Sequence, residues 1–181
     1  PELIVCPMLK SIIPESVYGK HRCLIVHPGP RGDRGPSSLD WAIELDMAEW
    51  GVTVLEATGE VDGGGVWASR TFRTREAGKS SLYRHEVRRA AIEAAVEAVA
   101  AVAAGGRAGQ RVDYGDPSVV GRPRPLIRQP DRAIDWSSDS TTTVMRRIRA
   151  AEGHPGVLDQ IGGIEFHLFG VHREDTLRGG P

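Results

Sequence analysis

Net charge is the first thing this chain lacks. Its 23 Lys and Arg against 24 Asp and Glu leave a formal charge of −1 at pH 7. Such a balance exerts no general pull on nucleic acid or on a membrane surface. No apolar run reaches the length that spans a bilayer. The Ala-rich stretch Ala90 to Ala104 is interrupted by Glu93 and Glu97 and reads as a soluble helix. Cysteine is scarce: Cys6 and Cys23 both sit in apolar, strand-like runs. That is poor material for a disulfide framework and suits a reducing compartment, taken here as the cytoplasm.

Several site signatures are lacking too. No Gly-x-Gly-x-x-Gly joins a strand to a helix, and there is no Walker loop. The two Cys and six His show no metal-ligand spacing, so no metal is expected. Ser37 and Ser38 lie near His27, but no nucleophile elbow surrounds them. Gly29 to Ser37 scans as three collagen-like triplets, far too few for a triple helix. The tripeptide Arg31-Gly32-Asp33 is read as a chance match. Nine Arg against five Asp between Arg107 and Arg149 make a mild basic bias, read as a solvated face rather than an RNA site.

What is present is a chain of 181 residues, 40% apolar and 26% charged. It is long enough for one domain, or one and part of another, with a real core. It begins at Pro1 inside a strand pattern and ends at Gly179-Gly180-Pro181, which suggests a piece of a longer protein. Leu3 to Leu9 reads as a buried, parallel-type strand, and Pro14-Glu15-Ser16 as the start of a short helix. Leu24 to His27 is a second strand. A helix with Leu39, Trp41, Ala42, Ile43 and Met47 follows Pro36. Gly51 to Thr58 and Val66 to Phe72 alternate as two strands joined by the glycine-rich turn 59–65 and should run antiparallel. Ser80 and Ser81 are expected to cap a long helix stopped by Gly105-Gly106. Residues 105–129 are poorly periodic and read as a linker wrapped on the surface, anchored by Val112, Tyr114, Val119 and Ile127. A helix with Val144, Ile148 and Ala151 and a strand over Ile164 to Val171 then open a β-rich segment. The division is 1–104, a catalytic domain; 105–129, a linker; and 130–181, the start of a second subdomain.

Two side chains stand out for chemistry. His27 ends a strand before a Gly/Pro-rich loop, a position suited to a general acid, a general base or an oxyanion stabiliser. A hydrogen-bonded, inert strand cap is the competing reading. Asp62 lies in the turn between two strands, where glycines let a ligand approach the backbone. It would fix the tautomer of a nearby imidazole. On spacing alone, Asp62-Gly63 reads rather as a plain hairpin signal.

Taken in order, these residues resemble the 10-formyltetrahydrofolate-dependent formyltransferase family. The parallel parts are Pro1-Glu2-Leu3-Ile4-Val5, Ile13-Pro14, Cys23-Leu24-Ile25-Val26-His27, Arg34-Gly35-Pro36, Ala42-Ile43, Gly51-Val52-Thr53-Val54, Val61-Asp62-Gly63-Gly64 and Ser81-Leu82-Tyr83. Ile134-Asp135-Trp136, Arg147-Ile148-Arg149-Ala150 and Pro155-Gly156 are similar to the start of the C-terminal subdomain of the tRNA-acting members. The resemblance implies an α/β fold: a Rossmann-type sheet without its first β-α-β unit, followed by the start of a β-rich, OB-like subdomain. It implies 10-formyltetrahydrofolate as formyl donor, and His27 and Asp62 as catalytic residues.

The family also uses an Asn, and its position here is Ile25. An amide can hold the formyl oxygen; an isoleucine has no donor. Together with the loop His27-Pro28-Gly29-Pro30, this departure resembles the branch of the family that serves [NiFe]-hydrogenase maturation. There a formyltransferase-like half is fused to an enoyl-CoA hydratase-like half. The branch implies coenzyme A as formyl acceptor, carbon monoxide released as an iron ligand, and hydrogenase maturation proteins as partners. Ile25, Pro28, Gly29, Gly63 and Gly64 are then the expected folate-binding positions. Arg84 is a candidate for an anionic group, against a surface salt bridge with Glu86 or Glu76, and Gln129 for a channel to the second half. The alternatives are a formyltransferase acting on an amine, such as methionyl-tRNA or an amino sugar, and a formyl-folate-binding module without chemistry.

Overall fold

The computed structural model describes residues 2–109, 111–153, 155–174 and 176. Pro1 and the terminal Gly179-Gly180-Pro181 lie outside the described residues. The sheet contains β1 (Leu3–Pro7), β2 (Arg22–His27), β3 (Glu49–Glu56) and β4 (Val66–Arg73), in that order across it. β1 and β2 are parallel, joined through the short helix α1 (Glu15–Tyr18). β3 runs antiparallel to β4, as the alternation and the glycine turn predict, and also antiparallel to β2. The result is an α/β fold on a mixed sheet. The first strand is parallel as expected but is not buried: it lies at the sheet edge, and of its residues only Cys6 is buried. Its apolar run reads as core because such a run does not reveal how many neighbours the strand has.

Alternation sorts the strands into two faces. Leu24 and Val26 of β2 and Val52 and Val54 of β3 point into the main core. There they meet α2 (Ser38–Glu44) and a long helix formed by α3 (Lys79–Leu82), a π-turn (Tyr83–Val87) and α4 (Arg88–Ala103). Ala90, Ala94 and Ala98, spaced four apart, let α4 lie close to β3 and β4. Fully burying each large aliphatic side chain of this core contributes about 1.5–3 kcal/mol. Ser80 and Ser81 do not cap the helix. Gly78 holds the cap position, and the Glu152 carboxylate accepts from the Ser80 N–H. Met47 falls beyond α2, after Asp46 at φ +52°. Ala104 and Gly105, at φ +76°, end the long helix as expected.

The rest of the chain returns to this body. A 3-10 turn (Gln129–Arg132) leads to α5 (Thr141–Ala151), capped by Ser140, whose hydroxyl accepts from the Thr143 N–H. α5 packs on α2, and Ala150 enters the main core. Its other buried side, Ile148 and Ala151, meets Val157 of a two-stranded hairpin, β5 (Val157–Ile161) and β6 (Ile164–Leu168). Among the described residues, no helix is long and apolar enough to cross a membrane.

Candidate active site

β2 delivers His27 to its C-terminal end, on the face of the sheet opposite the core residues Leu24 and Val26. In register, His27 lies opposite Thr53, and Thr53 opposite Ser69. The Thr53 hydroxyl donates to the Gly29 carbonyl at 2.9 Å. The Pro28 carbonyl accepts from Ser38 Oγ at 2.7 Å and from Trp50 Nε1 at 3.1 Å. The two carbonyls that follow His27 are therefore tied to the fold, and the Gly/Pro loop is built to one shape.

That shape puts two carboxylates on one imidazole. His27 Nε2 is 2.9 Å from Asp33 Oδ2, and His27 Nδ1 is 3.5 Å from Asp62 Oδ2. His27 is 5% exposed, the Asp33 side chain 0% and the Asp62 side chain 12%. Of the three, Asp62 is the one nearest solvent. Asp62 stands at φ +49°, a left-handed conformation that Asp tolerates better than most residues. It is held there because its Oδ2 also accepts from the Gly35 N–H at 3.1 Å. Backbone strain retained in this way clusters at functional sites.

Asp33 is the residue that sequence reasoning missed. Its other oxygen, Oδ1, accepts from Arg124 Nη1 at 2.9 Å. A carboxylate with no exposed surface requires such partners. The Arg31-Gly32-Asp33 tripeptide is therefore no exposed recognition motif, since its aspartate is engaged inside the protein. The available signal was the pairing of one loop acid with an arginine 91 residues away, and spacing does not reveal that.

The remaining expected positions divide. Ile25 shares the His27 face and lies opposite Leu55. It brings no donor, as its identity predicts. Gly29 is where backbone and dyad meet: a Cβ there would stand 2.6 Å from His27 Nε2 and 2.7 Å from Asp33 Cβ. Gly64 is needed for the chain's own packing, since a Cβ there would collide with the Glu56 carbonyl, whereas one on Gly63 would meet only the exposed Glu60 side chain. Arg84 lies on an open surface of the helix beside His85, Arg88 and Ile92. Its Nε donates to the Ser80 carbonyl, while Glu86 pairs with Arg75 and Glu76 with Arg149. None of these is a residue of the His27 loop. The Gln129 amide donates to the Gly156 carbonyl and accepts from the Leu158 N–H. It fastens the hairpin, and both ends of its amide are occupied.

The stretch from 105 to 129 wraps the surface as expected, and it wraps the site. Tyr114 Oη donates to the Gly32 carbonyl, Gly121 N–H to Arg31, and Arg124 N–H to Arg34. Val119 and Ile127 are buried as anchors; Val112 is half-buried. Tyr83, in the π-turn, has its phenol pushed up to about 12 by burial and by the nearby Asp40 and Asp33. Burial likewise raises both thiols, Cys6 and Cys23, which are free. Among the described residues, no group of three or more His, Cys, Asp or Glu is arranged to hold a metal ion.

No family model matches the chain. Over its full length it is 50% identical to the hydrogenase maturation factor HoxX of Bradyrhizobium diazoefficiens, of which it covers 32%. The crystal structure of HypX from Aquifex aeolicus in complex with tetrahydrofolic acid superposes on the whole chain with a TM-score of 0.91 at 41% identity. The match covers 31% of that chain. Methionyl-tRNA formyltransferase from Clostridium thermocellum matches 98% of the chain and 74% of its own, with a TM-score of 0.75 at 15% identity, a likeness of fold. The chain thus spans about a third of the length of its HoxX and HypX relatives. Identical to HoxX at half its positions, and superposing along its whole length on HypX, the chain is similar to about a third of each of these proteins, and it carries the formyltransferase fold.

Proposed function

We propose that this chain takes the formyl group from 10-formyltetrahydrofolate and, in the full-length protein, passes it to coenzyme A. The observation that carries this reading is the His27–Asp62 pair, 3.5 Å apart at the end of β2. The tetrahydrofolate complex of a relative at 41% identity supports the donor. The pterin end of the donor lies between the His27 loop and the Asp62 turn. An acceptor thiol attacks the formyl carbon. A carbon–sulfur bond forms, the carbon–nitrogen bond breaks, and the thiol proton ends on the departing folate nitrogen. His27 stabilises the oxyanion or carries that proton. Asp62 supports the ring from its Nδ1 side, 3.5 Å away. Formyl-CoA then passes to the hydratase-like half of the same protein, which releases carbon monoxide for hydrogenase maturation in the cytoplasm. Residues 130–181 begin the β-rich, OB-like subdomain that follows the catalytic domain.

The test is single-turnover release of tetrahydrofolate by the full-length protein with coenzyme A as acceptor. His27→Ala and Asp62→Asn are each expected to slow it by about 100-fold or more, the usual contribution of a positioned acid or base. Parental rates in both variants would overturn the assignment. Ile25 favours a second reading, a module that binds formyl-folate without chemistry, because it removes the family's amide donor. Calorimetric binding of formyl-folate with no turnover in the full-length protein would establish that reading instead.

A further inference from the structure

His27 is held more closely on one side than on the other. Its Nε2 lies 2.9 Å from the fully buried Asp33 carboxylate, whereas Nδ1 is 3.5 Å from the partly exposed Asp62, whose oxygen also accepts from the Gly35 N–H. Asp33 is fixed in turn by Arg124 Nη1 at 2.9 Å, and the Arg124 guanidinium stands over the Trp50 ring. The Arg124 backbone adds to the hold by donating to the Arg34 carbonyl at 3.0 Å. An imidazole bonded through one nitrogen to a buried carboxylate has its ring plane and tautomer set, and only the other nitrogen remains to meet a reactant.

We propose that Asp33, locked by Arg124, is a positioning residue for the formyl-transfer reaction, and that it leaves Nδ1, on the Asp62 side, as the working nitrogen of His27. The inference rests on the reading of His27 given above and deepens it. It gives residues 105–129 a part in the reaction, since they carry the arginine that holds Asp33. It also bears on Ile25. Where no amide helps to hold the formyl oxygen, the geometry of the single imidazole matters more, and a rigid ring loses less on reaching the transition state. Asp33 touches no reacting atom in this scheme; it acts through the ring.

The experiment uses the full-length protein, with kcat and KM for formyl-folate measured separately and tetrahydrofolate affinity as the check on folding. Asp33→Asn keeps the shape but puts an amide against Nε2. It is expected to lower kcat by about 100-fold or more, in the range seen when the orienting acid of a His pair is neutralised, with KM and tetrahydrofolate affinity within about twofold of the parent. Arg124→Gln should fall about tenfold in kcat, and Arg124→Lys, which restores the charge, should recover most of that loss. Parental kcat in both Asp33→Asn and Arg124→Gln, with His27→Ala inactive, would overturn the positioning role and leave the function standing. A fall in which kcat and tetrahydrofolate affinity are lost together, without rescue by Arg124→Lys, would also overturn it, because that is the mark of a scaffold. Parental turnover by His27→Ala would overturn both readings at once.

Discussion

A methyl group on Gly29 has nowhere to go. It would stand within 2.7 Å of both members of the His27–Asp33 pair, and both are too buried to swing aside. Gly29→Ala should therefore cost about 1–3 kcal/mol, the ordinary cost of overpacking. It should also slow formyl release, because the pair must separate to admit the methyl. Thermal unfolding and single-turnover assay of the same variant check the two effects together, and an unchanged melting temperature would show that the loop relaxes freely. Gly29 and Gly64 are both hemmed in by the protein's own atoms, Gly29 by the His27–Asp33 pair and Gly64 by the Glu56 carbonyl. Residue type reveals that space is scarce at such a position; it does not reveal what fills it.

Among elements, one acid joins three. Asp40 on α2 accepts from Lys79 Nζ at 2.9 and 3.0 Å and from Arg132 Nη2 at 3.0 Å. Lys79 opens α3, and Arg132 closes the 3-10 turn that follows the wrapped segment. All three side chains are at most 15% exposed. Removing the acid leaves two cations facing each other in a poorly solvated place, so Asp40→Ala should cost about 3 kcal/mol. Denaturant unfolding measures it; a loss below about 1 kcal/mol, typical of surface pairs, would show that water reaches the cluster. None of this is visible in periodicity. The strands β2, β3 and β4 were legible, because alternation of β-branched and apolar residues is imposed by the faces of a sheet. The edge position of β1 and the Asp40 cluster were not, because each depends on a neighbour distant in sequence.

At the scale of the molecule, the same division separates the readable half of the site from the rest. His27 and Asp62 could be singled out from a strand end, a turn and the family resemblance, and the structure places them 3.5 Å apart. Asp33 and Arg124 could not be, because their meaning arises only when residues 105–129 fold back over the loop at 28–36. That return is held by backbone as much as by side chains. Gly121 and Arg124 donate to the carbonyls of Arg31 and Arg34, the Arg34 N–H donates to Arg122, and the Ile127 N–H donates to Ser37 Oγ at 3.0 Å. Val119, 2% exposed, is packed beneath, where a Cβ on Gly32 would meet its Cγ1 at 2.6 Å. A segment without regular helix or strand ordinarily exchanges its amide hydrogens quickly, since few of them are bonded or covered. Here the bonded amides of 121, 124 and 127 should exchange at least about 100-fold slower than unprotected amides, together with those of 33–35, because one opening event exposes both strips. Hydrogen–deuterium exchange on the full-length protein reads this directly. Arg124→Gln should speed exchange in the loop at 33–35 as well as at its own position. If peptides spanning 119–127 exchange at the unprotected rate while 33–35 stays closed, the segment does not brace the site, and the Asp33–Arg124 contact is too brief to hold an imidazole in place.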